Sequence, residues 1–312
     1  MKRYLLLILG LLFILPLDLY SQRLKNRWKG MRGEINFGIG ASNFLGELGG
    51  ADQIGTHFFR DFEFSETQLA LQVGYRYKLS RSIALNSHLT YGNVSGDDKL
   101  TKEFFRNYRN LKFKSHIFEW NVNGEFAFIK DQVGHRYRLR GVRGQRGYEM
   151  MSYVFVGVGL FHFNPKTQLG EGGGEWIELK PLHTEGQSLI ETRKNYHKVQ
   201  LCIPVGIGFK YTISRRWGIG IEYGIRKTFT DYIDDVSKTY VSPAILAQQP
   251  EVGGFAVQLA DRSDNENKPK KYPYITAPGA QRGDPRYTDS YMFGMVTINY
   301  KLRTGRQVYP LF

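Results

Sequence analysis

The chain has 312 residues, with 43 Lys and Arg against 29 Asp and Glu, a formal net charge of +14. Its 41% hydrophobic and 23% charged content exclude global disorder, and a mean hydropathy of −0.40 excludes a bundle of apolar membrane helices. One cysteine, Cys202, excludes an internal disulfide scaffold.

The first residues read as a secretory signal. Lys2 and Arg3 form a positive start, residues 5–16 an apolar run too short to span a bilayer, and Leu19-Tyr20-Ser21 a plausible cleavage motif before Gln22. Residues 1–21 are therefore expected to be a signal peptide and residues 22–312 a single domain. No cysteine follows the run to carry a lipid anchor. A basic exported chain points to anionic surfaces, such as lipid head groups, cell-wall polymer or an acidic partner, rather than to nucleic acid.

Beyond Gln22 the dominant signal is alternation with period two. Residues 35–41 alternate apolar side chains with Asn36, Gly38 and Gly40. In residues 69–77 Leu69, Leu71, Val73, Tyr75 and Tyr77 oppose Ala70, Gln72, Gly74 and Arg76. Residues 83–91 and 118–128 repeat the pattern, with Asn86, His88 and Thr90, then Glu119, Asn121, Asn123 and Glu125, on the polar face. Residues 153–163 are apolar on both faces apart from glycines, so their phase is ambiguous. Residues 199–211, 217–226 and 292–302 complete eight strands.

Such strands build either a soluble β-sandwich or a membrane barrel. Charged and amide residues opposite the greasy face, with little interruption, favour the barrel, as do aromatics near strand ends: Tyr75, Tyr77, Tyr91, Phe128, Phe161, Phe163, Tyr211, Tyr223 and Phe229. Connection lengths agree. Ser80-Arg81-Ser82 and Ser214-Arg215-Arg216 are tight turns, whereas long segments join strands one to two, three to four, five to six and seven to eight. The expected fold is an all-β, eight-stranded antiparallel outer-membrane β-barrel with long outer loops. Its polar face fills the lumen, leaving no wide pore.

One connection departs from the rule. Residues 130–150 form a periplasmic turn by this count, yet the segment is long and carries Arg136, Arg138, Arg140, Arg143 and Arg146 with only Asp131 and Glu149 against them. It reads as a solvated charge run or as a docking surface for an anionic partner.

Motifs for chemistry are weak. Ser87-His88 and Ser115-His116 are adjacent pairs, and neighbours on a strand face opposite sides; His88 could still meet a hydroxyl such as Thr90. Asp231, Asp234 and Asp235, and later Asp261, Asp264, Asn265 and Glu266, could suit calcium, but their spacing fits no closed ligand set, so they read as solvated loop residues. The glycine-rich residues 170–174 lack the Lys-Ser/Thr of a phosphate cradle. No catalytic residue, cofactor or metal is expected.

Four segments carry a resemblance: residues 41–49 (ASNFLGELG), 158–165 (VGLFHFNP), 175–187 (EWIELKPLHTEGQ) and 228–237 (TFTDYIDDVS). In order and spacing they resemble the PorG family, the outer-membrane β-barrels of the type IX secretion system. The resemblance implies a non-enzymatic barrel set in outer-membrane lipids and associated with the periplasmic ring of PorK and PorN, which serves protein transport and, in some bacteria, gliding. The competing expectation is an OmpA-like structural barrel or adhesin, whose outer loops would present Trp176, Tyr232 and Tyr240.

Overall fold

A computed structural model describes residues 30–48, 66–130, 150–170, 174–214, 216–263, 272 and 274–303. The expected signal segment, the five arginines of the basic turn and the C-terminal tail lie outside these residues, as do Asp264, Asn265 and Glu266.

All eight expected strands form. They are β1 (Gly33–Leu45), β2 (Gln68–Lys78), β3 (Ile83–Asp97), β4 (Lys112–Ile129), β5 (Met150–Gln168), β7 (Val199–Thr212), β8 (Trp217–Thr228) and β9 (Ser290–Lys301), with a short β6 (Trp176–Glu178) added on β5. Each of the eight pairs antiparallel with two neighbours, and β1 meets β9, so the sheet closes on itself. Closure leaves no open edge, a requirement where no water can satisfy backbone groups.

Alternation sets which side chains face out. Phe37, Leu71, Leu89, Trp120, Val156, Val205, Ile221 and Val296 are exposed apolar residues around the whole circumference. Their strand neighbours Asn36, Gln72, Thr90, Glu119, Glu222 and Thr297 are buried inside. A polar interior within a greasy exterior inverts a soluble protein and is the arrangement of a bilayer-spanning barrel.

The ambiguous phase of β5 resolves with aromatics inward. Val154, Val156, Val158 and Leu160 face out, while Tyr153, Phe155, Phe161 and Phe163 are buried in the lumen. Phe161 and Phe163 therefore do not belong to the aromatic girdle expected of them. Room for Tyr153 and Phe155 comes from β7, where a Cβ on Gly208 would lie 2.2 Å from Tyr153 Cζ and one on Gly206 would lie 2.4 Å from Phe155 Cζ. The remaining girdle residues sit outward or half-buried, with Tyr75, Phe128 and Tyr211 near the tight turns and Tyr91 and Phe229 towards the other end.

The two ends differ. At one, the amides of Leu79 and Ser80 both donate to Ile83 O at 3.0 Å, and those of Ile213 and Ser214 to Trp217 O at 3.0 and 3.1 Å. At the other, β3, β4 and β5 run on to 15, 18 and 19 residues. Eighteen residues extend to roughly 60 Å, well past a bilayer core even when tilted. This overhang carries a folded cap made of β6, α1 (Phe104–Arg109), α2 (Pro243–Leu246), α3 (Gly253–Ala260) and the loops around them. Leu48, Leu179, Leu182, Ile233, Val236, Leu246 and Leu259 form its core, continuous with the aromatics in the barrel mouth.

Candidate functional site

The lumen near the tight turns is organised on one cation. Arg76, on β2, is completely buried and reaches Glu34 at 2.7 Å, Glu125 at 2.7 Å and Glu222 at 3.0 Å. It also donates to Tyr153 Oη at 2.7 Å and to Asn299 Oδ1 at 3.3 Å. Lys210 Nζ supplies a second positive charge to Glu34 at 2.8 Å, and Asn86 donates to Glu125 at 2.6 Å. Five strands contribute the charges, and their inward phase places them at one level. Solvent reaches none of them appreciably.

Above this cage lies a second pair, Arg226 with Glu119 at 3.3 Å, where Arg226 also covers the Phe293 ring at 4.6 Å. Tyr291 Oη donates to the same Glu119 at 2.7 Å. An aromatic plug follows: Phe161 packs on Tyr291 at 5.2 Å, Phe163 on Tyr196 at 5.9 Å and Tyr196 on Tyr232 at 4.9 Å. The crowded lumen expected from eight strands is thus filled by two ionic layers and an aromatic layer.

The Ser/His pairs stay apart as their alternation requires. Ser87 Oγ accepts from the Trp120 indole on the outside, whereas His88 is buried inside. Ser115 is inside and His116 outside, bonded to Tyr91 Oη at 3.0 Å. His88 Nε2 and Thr90 Oγ1 each lack a partner, so they do not bond to each other. A cleft of about 210 Å³ lined by Asn110, Leu169, Gly170, Gln258, Leu259 and Arg262 falls below the roughly 300 Å³ of ordinary ligand pockets.

Under the cap, the expectation of solvated aspartates fails. Asp231, Asp234 and Asp235 are 8%, 1% and 0% exposed, because residues 230–238 fold under the cap against the barrel mouth. Asp235 is well partnered, accepting from Tyr196 Oη at 2.8 Å and from the Thr184 hydroxyl. Glu185 accepts from the amides of Ser237 and Lys238 and from Arg282 at 3.0 Å. Arg109 is held by Asp98 at 2.7 Å and donates to the carbonyls of Arg282 and Glu47. Tyr240 is buried and Tyr232 half-buried within this assembly, so neither is presented outward as a binding aromatic; Trp176 is exposed beside Lys114.

Asp231, Asp234, Asp289 and Glu47 form a second group with poorer partners. Asp234 accepts from Val236 N at 3.0 Å and Asp289 from Ile233 N at 2.9 Å, each through one oxygen. The other oxygens, Asp234 Oδ2 and Asp289 Oδ1, are buried without a hydrogen-bond partner, and Asp231 has only the nearby Ser237 hydroxyl to ease it. Burial, then Asp289, pushes Asp231 up to about 9, and burial pushes Glu47 up to about 7. Asp234 and Asp289 rise well above the carboxylate range for the same reason, reinforced by their acidic neighbours.

The sign of the resulting pH dependence follows. A raised carboxyl keeps its proton in the folded state after the unfolded chain has lost it, so the associated stability is present below about pH 4 and is lost on going up through about pH 9. In metal-free buffer, amide exchange of residues 230–238 is expected to quicken from pH 5 to pH 9 relative to the barrel strands, after correction for intrinsic rates. Asp231→Asn should flatten that rise. An unchanged slope in the variant would contradict it.

Residues 19–172 and 183–242 match a domain family described as a domain of unknown function, DUF6089. The chain belongs to the DUF6089 family. The matched span takes in β1 to β5, β7, β8 and the acidic segment of the cap, and leaves out β6. No curated protein matches the chain. Several solved barrels are similar in strand layout. The N-terminal β-barrel domain of Pseudomonas aeruginosa OprF is 8% identical over 88% of this chain and 99% of that one, with a TM-score of 0.34. The outer membrane protein OprG from Pseudomonas aeruginosa is 9% identical over 88% and 98%, with a TM-score of 0.36. Neisserial surface protein A is 7% identical over 86% and 96%, with a TM-score of 0.35. At such distances no role passes from them to this DUF6089 member.

Proposed function

We propose that this DUF6089 protein is a non-enzymatic outer-membrane barrel that anchors or helps assemble the type IX secretion machinery by contacting its periplasmic ring. The observation that carries the reading is a barrel greasy outside and filled inside: Val205 and its kind face outward, while the Arg76 cage and the Phe161–Tyr291 plug occupy the lumen. Such an object is a poor conduit and a sound anchor, since moving its apolar belt out of lipid is costly. With the tight turns towards the periplasm, the cap lies outside the cell, and the ends of β4 and β5 that the basic residues 131–149 join in sequence lie on the inner side. The PorG-like segments point to the PorK and PorN ring as the partner. Arginine suits that contact because its planar fork binds carboxylates at two points.

The test replaces Arg136, Arg138, Arg140, Arg143 and Arg146 with Gln. Copurification of the ring proteins should fall several-fold while the barrel still inserts; unchanged recovery would sink the docking assignment. The second reading, an OmpA-like barrel or adhesin, draws on the cap's exposed Trp176, Tyr274 and Tyr287. Gene deletion separates the two. A general secretion defect supports the anchor, and normal secretion with altered adhesion supports the alternative.

A further inference from the structure

On one side of the barrel the outward face changes chemistry abruptly. Along β4 the apolar outward positions stop at Phe118, and the next two are His116 and Lys114. Along β5 they stop at Leu160 and are followed by His162, Asn164 and Lys166. The rows match across the sheet, with Phe118 opposite His162, His116 opposite Asn164 and Lys114 opposite Lys166. Lys166 in turn lies opposite Glu178 of β6, and Lys198, just before β7, reaches the same carboxylate. Four residues along a strand cover about 13 Å, so on tilted strands the lysines stand roughly 10 Å above the last apolar ring. That is the level of lipid headgroups.

Positive charge is in excess there. Lys166 and Lys198 share Glu178 at 3.3 and 3.0 Å, while Lys114 lies 5.9 Å over the Trp176 ring and meets no carboxylate among the described residues. Hydrogen bonds from Asn164 and then Lys198 hold Glu178 down to about 2, so it stays charged and still faces three lysines. Lys112, further up β4, is already matched by Asp97 at 3.3 Å. Like charges directly opposite on neighbouring strands repel, and an anion set between Lys114 and Lys166 relieves that repulsion. The excess is local, since the outer ends of β1, β2 and β9 carry no cation among the described residues.

The surface beneath the lysines decides the ligand class. Leu160 is flanked across the sheet by Trp120 and Leu201, and all three are exposed, as are Phe118 and Val199 beside them. A free phosphate uses only the cations. A lipid with a phosphorylated sugar head and several acyl chains uses the cations and the grease together, and Trp176 offers its sugar a flat apolar face. Resting on the membrane orientation given above, with the cap outside, we propose that Lys114, Lys166 and Lys198 hold the phosphorylated headgroup of an outer-leaflet glycolipid, whose chains lie along Phe118, Leu160 and Leu201.

The experiment folds the whole chain in zwitterionic micelles and titrates it with bis-phosphorylated lipid A, with lipid A stripped of its phosphates, and with inorganic phosphate. Native mass spectrometry counts the lipid bound. The phosphorylated lipid should bind saturably, more weakly as salt rises, and at least about tenfold more tightly than the stripped one. Changing Lys114, Lys166 and Lys198 together to Gln should weaken it about a hundredfold, because each lysine near an anionic lipid contributes to the attraction. Lys227→Gln, an exposed lysine on β8, should change it little. Equal binding in the triple variant and the wild type would place the lipid elsewhere and overturn the proposal. Displacement of the lipid by inorganic phosphate at comparable concentration would make this a site for free phosphate and overturn it too. Insertion into phosphatidylcholine liposomes is scored alongside. A chain that fails to insert overturns the membrane reading and the site with it, whereas a chain that inserts but binds both forms of lipid A alike overturns the site alone.

Discussion

Replacing Arg76 with Leu should lower the unfolding free energy by about 3–5 kcal/mol, the usual cost of removing one member of a buried ionic group. The reason is the arrangement of Glu34, Glu125 and Glu222 around one guanidinium, with Lys210 as the other cation paired to Glu34. Without Arg76, Glu125 and Glu222 lose their nearest positive charge while they remain enclosed by strands. Arg76→Lys keeps one charge but loses the planar fork that serves three carboxylates at once, so an intermediate loss is expected. Adding Glu125→Gln and Glu222→Gln to Arg76→Leu should recover part of the deficit, since the penalty lies in the orphaned carboxylates and contacting sites are not additive. Denaturant unfolding of the folded barrel in micelles measures all of these. A midpoint for Arg76→Leu equal to the wild type would show that the cage is solvated after all.

The second large effect concerns the outer surface. Val205 lies midway along β7, is exposed, and is flanked across the sheet by Val156 and Ile225. In a bilayer, Val205→Arg should cost about 2–4 kcal/mol, the range for a basic residue facing lipid at the midplane. Phe229→Arg, just past the end of β8 beside the cap, should cost only about 0–1 kcal/mol, because a basic side chain near the interface reaches water. Unfolding titrations in liposomes, run on both variants, test the depth dependence. Equal costs at the two positions would contradict a membrane-facing belt, as a water-exposed surface accepts arginine at either place.

Most of the barrel was legible as strand period, because a side-chain repeat of two residues fixes which face each residue occupies once one face is known to be polar. Asn121 and Glu119 on β4, or Thr297 and Asn299 on β9, declare the lumen by their chemistry alone. Strand β5 did not, since Val156 and Phe155 are both apolar. Its phase was settled by the volume that Gly206 and Gly208 leave opposite Phe155 and Tyr153. The same ambiguity misplaced Phe161 and Phe163 among the girdle aromatics, when they belong to the plug.

The acidic loop segment was misread for a different reason. A run such as Asp231 to Ser237 looks solvated because loops usually are, and its burial depends on the cap core of Leu179, Leu182, Leu246 and Leu259 closing over it. Those contacts join segments far apart in the chain, with no local periodicity to announce them. The sequence by itself determined the number of barrel strands, their order and most of their facing, but not the short β6 added on β5. The tertiary structure alone decided that Arg76 would meet three carboxylates, that aromatics would close the mouth, and that Asp231, Asp234 and Asp289 would be buried together. Local repetition along a strand is set by backbone geometry, whereas which charges share an enclosed space is set by closure of the barrel and packing of the cap.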